Sequence, residues 1–251
     1  MLEARNLSKS FGRLKAVDDV SITVEKGSVT GLIGPNGAGK TTLFNLLAGS
    51  LAPDTGEILF QGTRVERMTP DARFRIGMAR TFQIARPFPG MTVIENTLLA
   101  AGGQAGEHFW NGWFRPGVIA RQERENQEKA HGILDFLTLA RLAHEPASRL
   151  SGGQRKLLEL ARVLMTDPAL ILLDEPAAGV NPALVDTMAE KIEQLNARGT
   201  TFLLIEHNMD FVTRLCRPVL VMAQGAVIAR GTGEEVRRDP RVVDAYLGDV
   251  M

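Results

Sequence analysis

Cysteine is almost absent from this chain, since Cys216 is the single cysteine among 251 residues. One cysteine excludes an internal disulfide, and this composition fits a reducing compartment. Long apolar runs are missing as well, because no stretch approaches the roughly 18 apolar residues that a membrane-crossing helix needs. Residues 1–6 also lack the pattern of a secretory signal peptide. The sequence therefore predicts a cytosolic protein, or one that binds a membrane through a partner.

The chain has no excess charge of either sign, because Lys and Arg together number 29 and Asp and Glu together also number 29. A neutral total gives no electrostatic footprint for nucleic acid, although a local basic patch is compatible with it. Low-complexity tracts and internal repeats are missing too. Hydrophobic residues make up 44% of the chain, which excludes general disorder. The length allows one sizeable domain, or two small lobes that share a core.

Hydrophobic patterning and turn residues predict alternating strands and helices in both halves of the chain, with a helical segment between them at about 84–166. This pattern indicates a helical lobe inserted between two parts of a nucleotide-binding sheet. Strands are expected at 3–7, 20–24, 28–33, 57–60, 169–173, 200–205, 219–222 and 226–229. Helices are expected at 43–48, 71–79, 93–101, 121–138, 152–165, 182–197, 208–215 and 240–247.

A glycine-rich segment organises the rest of the sequence. Residues 34–42 read Gly-Pro-Asn-Gly-Ala-Gly-Lys-Thr-Thr and lie between the predicted strand 28–33 and the predicted helix 43–48. A turn between strand and helix is the context in which the G-x-x-x-x-G-K-[ST] pattern binds phosphate. The N–H groups and the positive dipole end of the helix favour an anion there. The motif therefore predicts a nucleoside triphosphate site.

Residue types within this loop suggest separate roles. The glycines let successive N–H groups converge on one point, and Lys40 supplies a full positive charge for the β- and γ-phosphates. The hydroxyl of Thr41 can ligate Mg²⁺. The nucleotide-binding residues predicted in the loop are Gly34, Pro35, Asn36, Gly37, Ala38, Gly39, Lys40, Thr41 and Thr42.

Two acidic residues follow a second apolar strand, since residues 170–175 read Leu-Ile-Leu-Leu-Asp-Glu. A buried strand delivers Asp174 to the carboxyl edge of the sheet, where it can hold Mg²⁺ through water. Glu175 points elsewhere and could polarise an attacking water. The alternative is that the two acids only cap the next turn, which begins at Pro176.

Residues 150–154 read Leu-Ser-Gly-Gly-Gln. A purely structural interpretation is a capping box, in which Ser151 caps a helix and Gln154 reaches back to it. Glycine in a first helical turn does not stabilise the helix, however. Two glycines there make sense if another backbone or a phosphate must come close. A helix N-terminus with a hydroxyl is also a second anion site.

With these three motifs in the order 34–42, 150–154 and 170–175 along the chain, the sequence resembles the ATP-binding-cassette (ABC) family over essentially its whole length. The resemblance implies a P-loop NTPase fold of class α/β, with a mixed β-sheet core, an N-terminal antiparallel β subdomain and an inserted helical subdomain. The core would comprise 1–83 and 167–251, and the helical subdomain 84–166. It also implies head-to-tail pairing, in which Ser151, Gly153 and Gln154 of one subunit contact the γ-phosphate held by Lys40 of the other. An isolated monomer should then be a poor ATPase.

The resemblance assigns further roles one residue at a time. Phe11 would stack on adenine and Val17 would pack near the same base, although Phe11 could instead pack at a strand end. Gln83 would contact Mg²⁺ and water while linking the lobes, and His207 would contact the γ-phosphate. Asn181 stands where the family usually has an aspartate, which puts a charge-dependent role in question, while a neutral amide can still hydrogen-bond.

Other stretches are similar to the ATPases of branched-chain amino-acid importers, in particular residues 80–83, 91–96, 177–182 and 245–248. The insert 102–129, with Trp110 and Trp113, resembles the larger ATPase of that system. Urea and amide importers and the lipopolysaccharide-export ATPase share much of this pattern. A soluble nucleic-acid ATPase, a P-loop kinase and a GTPase fit less well.

The resemblance also implies cofactors, partners and a location. The cofactors would be ATP and Mg²⁺. The partners would be a second ATPase subunit, integral-membrane permease subunits and, for an importer, a solute-binding protein, with no nucleic acid. The chain would lie at the cytoplasmic face of the inner membrane, attached through the permease.

Overall fold

The computed structural model describes residues 1–81, 87–102 and 116–247. The chain divides into two compact units. The first contains Met1–Gln83, Pro168–Ala178 and Val185–Met251, and the second contains Ile84–Asp167 and Gly179–Leu184. Among the helices described in these ranges, none has the combination of length and apolar character that crossing a membrane requires.

The first unit begins with a four-stranded antiparallel sheet formed by β1 (Leu2–Phe11), β2 (Leu14–Val24), β4 (Thr55–Phe60) and β5 (Thr63–Arg64), in the order β2-β1-β4-β5. Leu2 pairs with both Val24 and Phe60, and all three side chains are buried. One face of this sheet therefore supplies part of the hydrophobic core of the unit.

A second, mixed sheet contains six strands. They are β3 (Val29–Ile33), β6 (Met78–Arg80), β7 (Leu170–Asp174), β8 (Thr201–Ile205), β9 (Val219–Ala223) and β10 (Ala226–Gly231). Their order in the sheet is β10-β9-β3-β8-β7-β6. Every residue of β3, β7, β8 and β9 is buried, as expected for strands covered on both faces. Only the edge strand β10 runs antiparallel to its neighbour among the pairings described.

Helices connect these strands. Within the first unit they are α1 (Lys40–Ala48), α2 (Pro70–Arg75), α7 (Met209–Leu215), α8 (Gly233–Arg238) and α9 (Pro240–Leu247). Helix α6 (Pro182–Ala197) begins in residues of the second unit and continues in the first.

The described part of the second unit is helical. It contains α3 (Val93–Leu98), α4 (Pro116–Phe136), α5 (Gly152–Leu164) and two 3-10 turns, Ala140–Leu142 and Ala147–Arg149. Helix α3 contacts both α4 and α5. The buried residues Leu134, Leu157 and Leu160 contribute to its apolar interior.

The mixed sheet and the N-terminal antiparallel sheet agree with the fold class expected from sequence, but several boundaries differ. The helix predicted at 71–79 ends at Arg75, and Met78–Arg80 is a strand. Gly77, with φ +94, breaks the helix between them. Strand β2 starts at Leu14, six residues before the predicted start, and α8 was missed although Thr232 and Glu235 form a capping box.

Candidate nucleotide-binding site

The glycine-rich loop connects β3 to α1 and lies between two other strands. A Cβ atom on Gly34 would lie 2.1 Å from the carbonyl oxygen of Met222 on β9, and one on Gly39 would lie 2.1 Å from that of Ala16 on β2. Both glycines have positive φ, +150 and +95. The loop can therefore take this path only because these two positions lack side chains.

Lys40 is the first residue of α1, and only 6% of it is exposed. Its Nζ donates to the carbonyl oxygens of Gly34 and Pro35, at 2.7 Å each. The ammonium group therefore lies across the loop, at the positive end of α1, whose first turn carries no acidic residue. A cation combined with the N-terminus of a helix favours a bound phosphate.

A cavity of about 560 Å³ opens over this loop, entirely within the first unit. Phe11 lines the cavity, and 49% of the residue is exposed. Its aromatic ring is therefore available for stacking. Leu14, Lys15 and Ala16 line the same side. Val17 is fully buried in the hydrophobic core instead, so its contribution to base binding stays a prediction.

Asp174 ends β7, and only 5% of it is exposed. Its Oδ2 accepts a hydrogen bond of 3.0 Å from Nη2 of Arg80, on the neighbouring strand β6. Nη1 of the same guanidinium donates to Oδ1 of Asn45 on α1, at 2.6 Å. The guanidinium also lies over the ring of Phe44, 5.2 Å from its centroid. Arg80 thus joins the predicted metal-binding carboxylate to the helix that follows the phosphate loop.

Glu175 and His207 lie side by side on the wall of this cavity. Nε2 of the imidazole is 3.2 Å from Oε1 of the carboxylate. The two residues follow β7 and β8, which are paired parallel neighbours, so their side chains meet at the carboxyl edge of the sheet. Glu175 has φ +49, an uncommon conformation for a residue with a long side chain. The structure therefore brings Phe11, Lys40, Glu175 and His207 to one cavity.

Ser151 lies in the second unit, where it caps α5. The N–H of Gln154 donates to Oγ of Ser151 at 3.3 Å, and the N–H of Ser151 donates to Oε1 of Gln154 at 2.9 Å. This is the capping box of the purely structural interpretation. A Cβ on Gly153 would lie 2.1 Å from Cδ2 of Leu184 and 2.9 Å from Cγ1 of Val180. A side chain at position 153 would therefore require Leu184 and Val180 to shift.

Comparison with known proteins places these features in a family. The sequence profile of the ABC transporter family matches residues 17–178. The chain belongs to the ABC transporter family. A second profile, described as branched-chain amino acid ATP-binding cassette transporter, matches residues 226–250.

Individual relatives support the assignment to the ABC family, because they match the chain over nearly its full length. The probable branched-chain amino acid transport ATP-binding protein LivG of Archaeoglobus fulgidus is 45% identical over 248 residues, covering 99% of this chain and 95% of that protein. The high-affinity branched-chain amino acid transport ATP-binding protein BraF of Pseudomonas aeruginosa is 41% identical over 250 residues, covering 99% and 98%. A crystal structure of the ADP conformation of an ATP-binding cassette of an ABC transporter is 43% identical, with a TM-score of 0.85 and coverage of 99% and 98%. The predicted family and fold class are confirmed.

The donor set of this ABC chain fits a nucleotide and a magnesium ion. The loop offers backbone N–H groups, a lysine and the hydroxyl of Thr41. Gly34 and Gly39 allow its path, because a Cβ atom at either position would collide with a backbone oxygen. One oxygen of the Asp174 carboxylate accepts from Arg80, and a carboxylate has a second oxygen for water or metal.

Several predicted positions of the ABC chain are either outside the described residues or belong to the second unit. Gln83, predicted to link metal and water, and the insert tryptophans Trp110 and Trp113 fall outside the described residues. Asn181 belongs to the second unit, where its Oδ1 accepts from the N–H of Leu184 at 2.9 Å. The amide therefore acts as a local cap at the start of α6.

Sequence reasoning missed two residues of the site. Arg80 belongs to the stretch 80–83, which is similar to the importer ATPases but was given no role of its own, and Glu206 was not singled out. Glu206 is 2% exposed, and its carboxyl oxygens accept hydrogen bonds from the backbone N–H groups of Ala177 and His207. Glu206 directly follows the strand predicted at 200–205, and a charged residue at the end of a buried strand is the signal that could have drawn attention to it. Arg80 directly follows the helix predicted at 71–79, so no such signal marked it.

Proposed function

We propose that this ABC-family chain is the ATP-hydrolysing subunit of a transporter that imports branched-chain amino acids. The observation that carries this proposal is that Lys40, Glu175 and His207 line the same cavity, so the phosphate-binding cation lies beside a carboxylate and an imidazole. The substrate class rests on the relatives named above, with 45% and 41% identity over nearly the whole chain.

The phosphate loop would hold the triphosphate, with Lys40 at the β- and γ-phosphates and Phe11 against the adenine. Thr41 and Asp174 would hold Mg²⁺, with Gln83 as a further ligand. The ion neutralises charge that develops on the phosphate oxygens. Arg80 holds one oxygen of Asp174, which fixes the direction in which the other oxygen faces.

Hydrolysis requires a water oxygen to attack the γ-phosphorus in line with the bond to the leaving β-γ bridging oxygen. Glu175 is the group that orients and polarises this water. His207, 3.2 Å from Glu175, would stabilise the γ-phosphate together with Lys40. Ser151, Gly153 and Gln154 of a second copy would complete the site, so that ATP joins two cassettes and hydrolysis releases them.

The proposed partners are a second ATPase subunit, the permease subunits and a solute-binding protein, with the chain held at the cytoplasmic face of the inner membrane. The core formed by 1–83 and 167–251 would bind nucleotide. The helical subdomain 84–166, with Gln83 at its hinge, would pass the motion to the permease.

Replacing Glu175 with Gln tests the catalytic part of this proposal. The variant keeps the volume of the side chain but loses the carboxylate that polarises water. We expect it to bind ATP as the wild type does and to form a stable ATP-dependent dimer by light scattering, while phosphate release is abolished. Hydrolysis by E175Q at the wild-type rate would contradict the assignment.

The transport part needs the membrane partner. The chain should copurify with a polytopic permease, and proteoliposomes containing both should accumulate radiolabelled leucine, isoleucine or valine when ATP and a binding protein are present. Urea or an amide accumulated in preference would overturn the substrate class, as would outward movement of lipopolysaccharide. Salt-sensitive binding of DNA or RNA would contradict a transport role altogether.

A further inference from the structure

Glu206 is a buried carboxylic side chain directly after β8. Only 2% of the residue is exposed, and the ion pairs found in the described ranges do not include it. Instead, Oε1 accepts from the N–H of Ala177 at 2.6 Å. Oε2 accepts from the N–H groups of His207 and Asn208, at 3.0 and 3.3 Å. Both oxygens act only as acceptors, which is the bonding pattern of a carboxylate.

One of these bonds holds the turn that carries Glu175. Ala177 lies two residues after Glu175, whose φ of +49 is in the left-handed region. The N–H of Glu175 also donates to the carbonyl oxygen of Ile205, at 3.0 Å. The turn is therefore fastened to the end of β8 at two points, which keeps Glu175 in a conformation that an isolated chain would leave.

The other two bonds hold the segment that carries the imidazole. They fix the backbone of His207 and of Asn208, whose side chain in turn caps α7 by accepting from Asp210 and Phe211 at 3.1 Å each. The same carboxylate thus binds the backbone beneath both members of the Glu175–His207 pair.

We propose that Glu206 is a positioning residue for ATP hydrolysis, which sets the separation and orientation of Glu175 and His207 without contacting the nucleotide. The inference rests on the proposed function, because it assigns Glu206 a role through those two residues. Glu206 does not line the cavity, whereas both of them do. Displacement of a reacting group by about 1 Å can lower a rate about 100-fold, so a buried residue behind the wall can affect the rate strongly.

The experiment compares E206A and E206Q in the full-length chain. E206A removes both acceptor oxygens and with them all three hydrogen bonds, and E206Q keeps the volume but leaves one amide N–H₂ facing backbone N–H. We expect kcat of E206A to fall about 100-fold, with the affinity for a fluorescent ATP analogue kept within about threefold. E206Q should lie between E206A and wild type, since its single oxygen can still serve one side.

A matched control separates positioning from lost stability. Ile192 on α6 is fully buried in the same unit, and I192A should lower the melting temperature without changing kcat at a temperature where it stays folded. The inference is overturned if E206A, still folded, keeps a kcat within about twofold of wild type. It is also overturned if nucleotide affinity and kcat fall by the same factor, because that is the outcome of general damage. If E206A does not fold, E206Q decides by the same two criteria.

These results remain separable from a failure of the proposed function. If wild type hydrolyses ATP and E175Q does not, the proposed activity stands whatever the Glu206 variants do. If wild type itself fails to hydrolyse ATP even when paired with its permease, the proposed function fails first and the positioning role falls with it.

Discussion

Arg80 and Asp174 form a 3.0 Å ion pair between neighbouring parallel strands. The side chain of Asp174 is 4% exposed and that of Arg80 is 18% exposed, so water solvates the pair poorly. A buried carboxylate next to a triphosphate site would repel the nucleotide unless a cation balanced it. Arg80 supplies that charge, and its second bond to Asn45 ties the pair to α1.

Removing Arg80 should therefore destabilise the chain. Loss of one partner of a buried pair leaves an uncompensated charge, and we expect R80A to lower the free energy of unfolding by about 3–5 kcal/mol. Adding D174N to R80A removes that charge and should recover part of the loss, with a coupling of about 1–3 kcal/mol. Urea unfolding of the two single variants and the double variant, without nucleotide, measures this.

An exposed pair serves as the control for Arg80. Arg121 and Glu125 lie 2.8 Å apart on α4, but their side chains are 82% and 58% exposed. R121A should leave the unfolding midpoint unchanged, because solvent screens such a pair. If R80A and R121A changed the free energy of unfolding by the same amount, Arg80 would not balance the charge of Asp174.

Ser151 and Thr232 offer a comparison within one chain. Each caps a helix through a box with the same geometry, since both side chains accept the N3 N–H at 3.3 Å. S151A and T232A should each lower the free energy of unfolding by about 1 kcal/mol. Only S151A should also reduce ATP hydrolysis, if that helix end meets a second copy's nucleotide. Equal ATPase rates for the two variants would show that Ser151 is merely a cap.

Local motifs were predictable from the sequence, whereas distant partnerships were not. The phosphate loop and the Ser151 box each depend on residues within about ten positions. The Arg80–Asp174 pair spans 94 positions and the Ala177–Glu206 bond spans 29. Those contacts exist only because β6, β7 and β8 pair in one register, and a single sequence does not reveal that register.

Short strands at the edge of the sheet were also hard to predict from the sequence. Met78–Arg80 is three residues long, too short for an alternating pattern to distinguish it from the end of a helix. It becomes a strand because Met78 and Ala79 pair with β7 and are buried there. The five-residue buried strands β7 and β8 were predicted within one residue at each end, since continuous apolar runs are informative.

Two glycines of the phosphate loop should differ in their tolerance of alanine. A Cβ on Gly37 meets nothing within 4 Å, so G37A suffers only from its φ of +75, at about 1–2 kcal/mol. A Cβ on Gly39 would lie 2.1 Å from a backbone oxygen of Ala16, and we expect G39A to cost about 1–3 kcal/mol more. Urea unfolding should therefore show a larger loss of stability for G39A than for G37A. The reverse order would disprove the described path of the loop.

Cys216 should give the stability of the chain a specific dependence on alkaline pH. Burial, together with the nearby Glu206 carboxyl group, raises the pKa of this thiol from 9.0 to about 12. A raised pKa means that the folded state keeps a proton that the unfolded state loses above pH 9. The stabilising contribution is therefore complete below pH 9 and declines as the pH rises toward 12.

The difference in unfolding free energy between wild type and C216A isolates this effect, since other groups titrate equally in both. Between pH 8 and pH 10, the free energy of unfolding of wild type should fall by about 1.4 kcal/mol relative to that of C216A. The folded thiol should also resist a disulfide reagent at pH 8 and react once urea unfolds the chain. Parallel stability curves over that interval, or rapid labelling of the folded protein, would show that Cys216 is solvated and not buried as the structure has it.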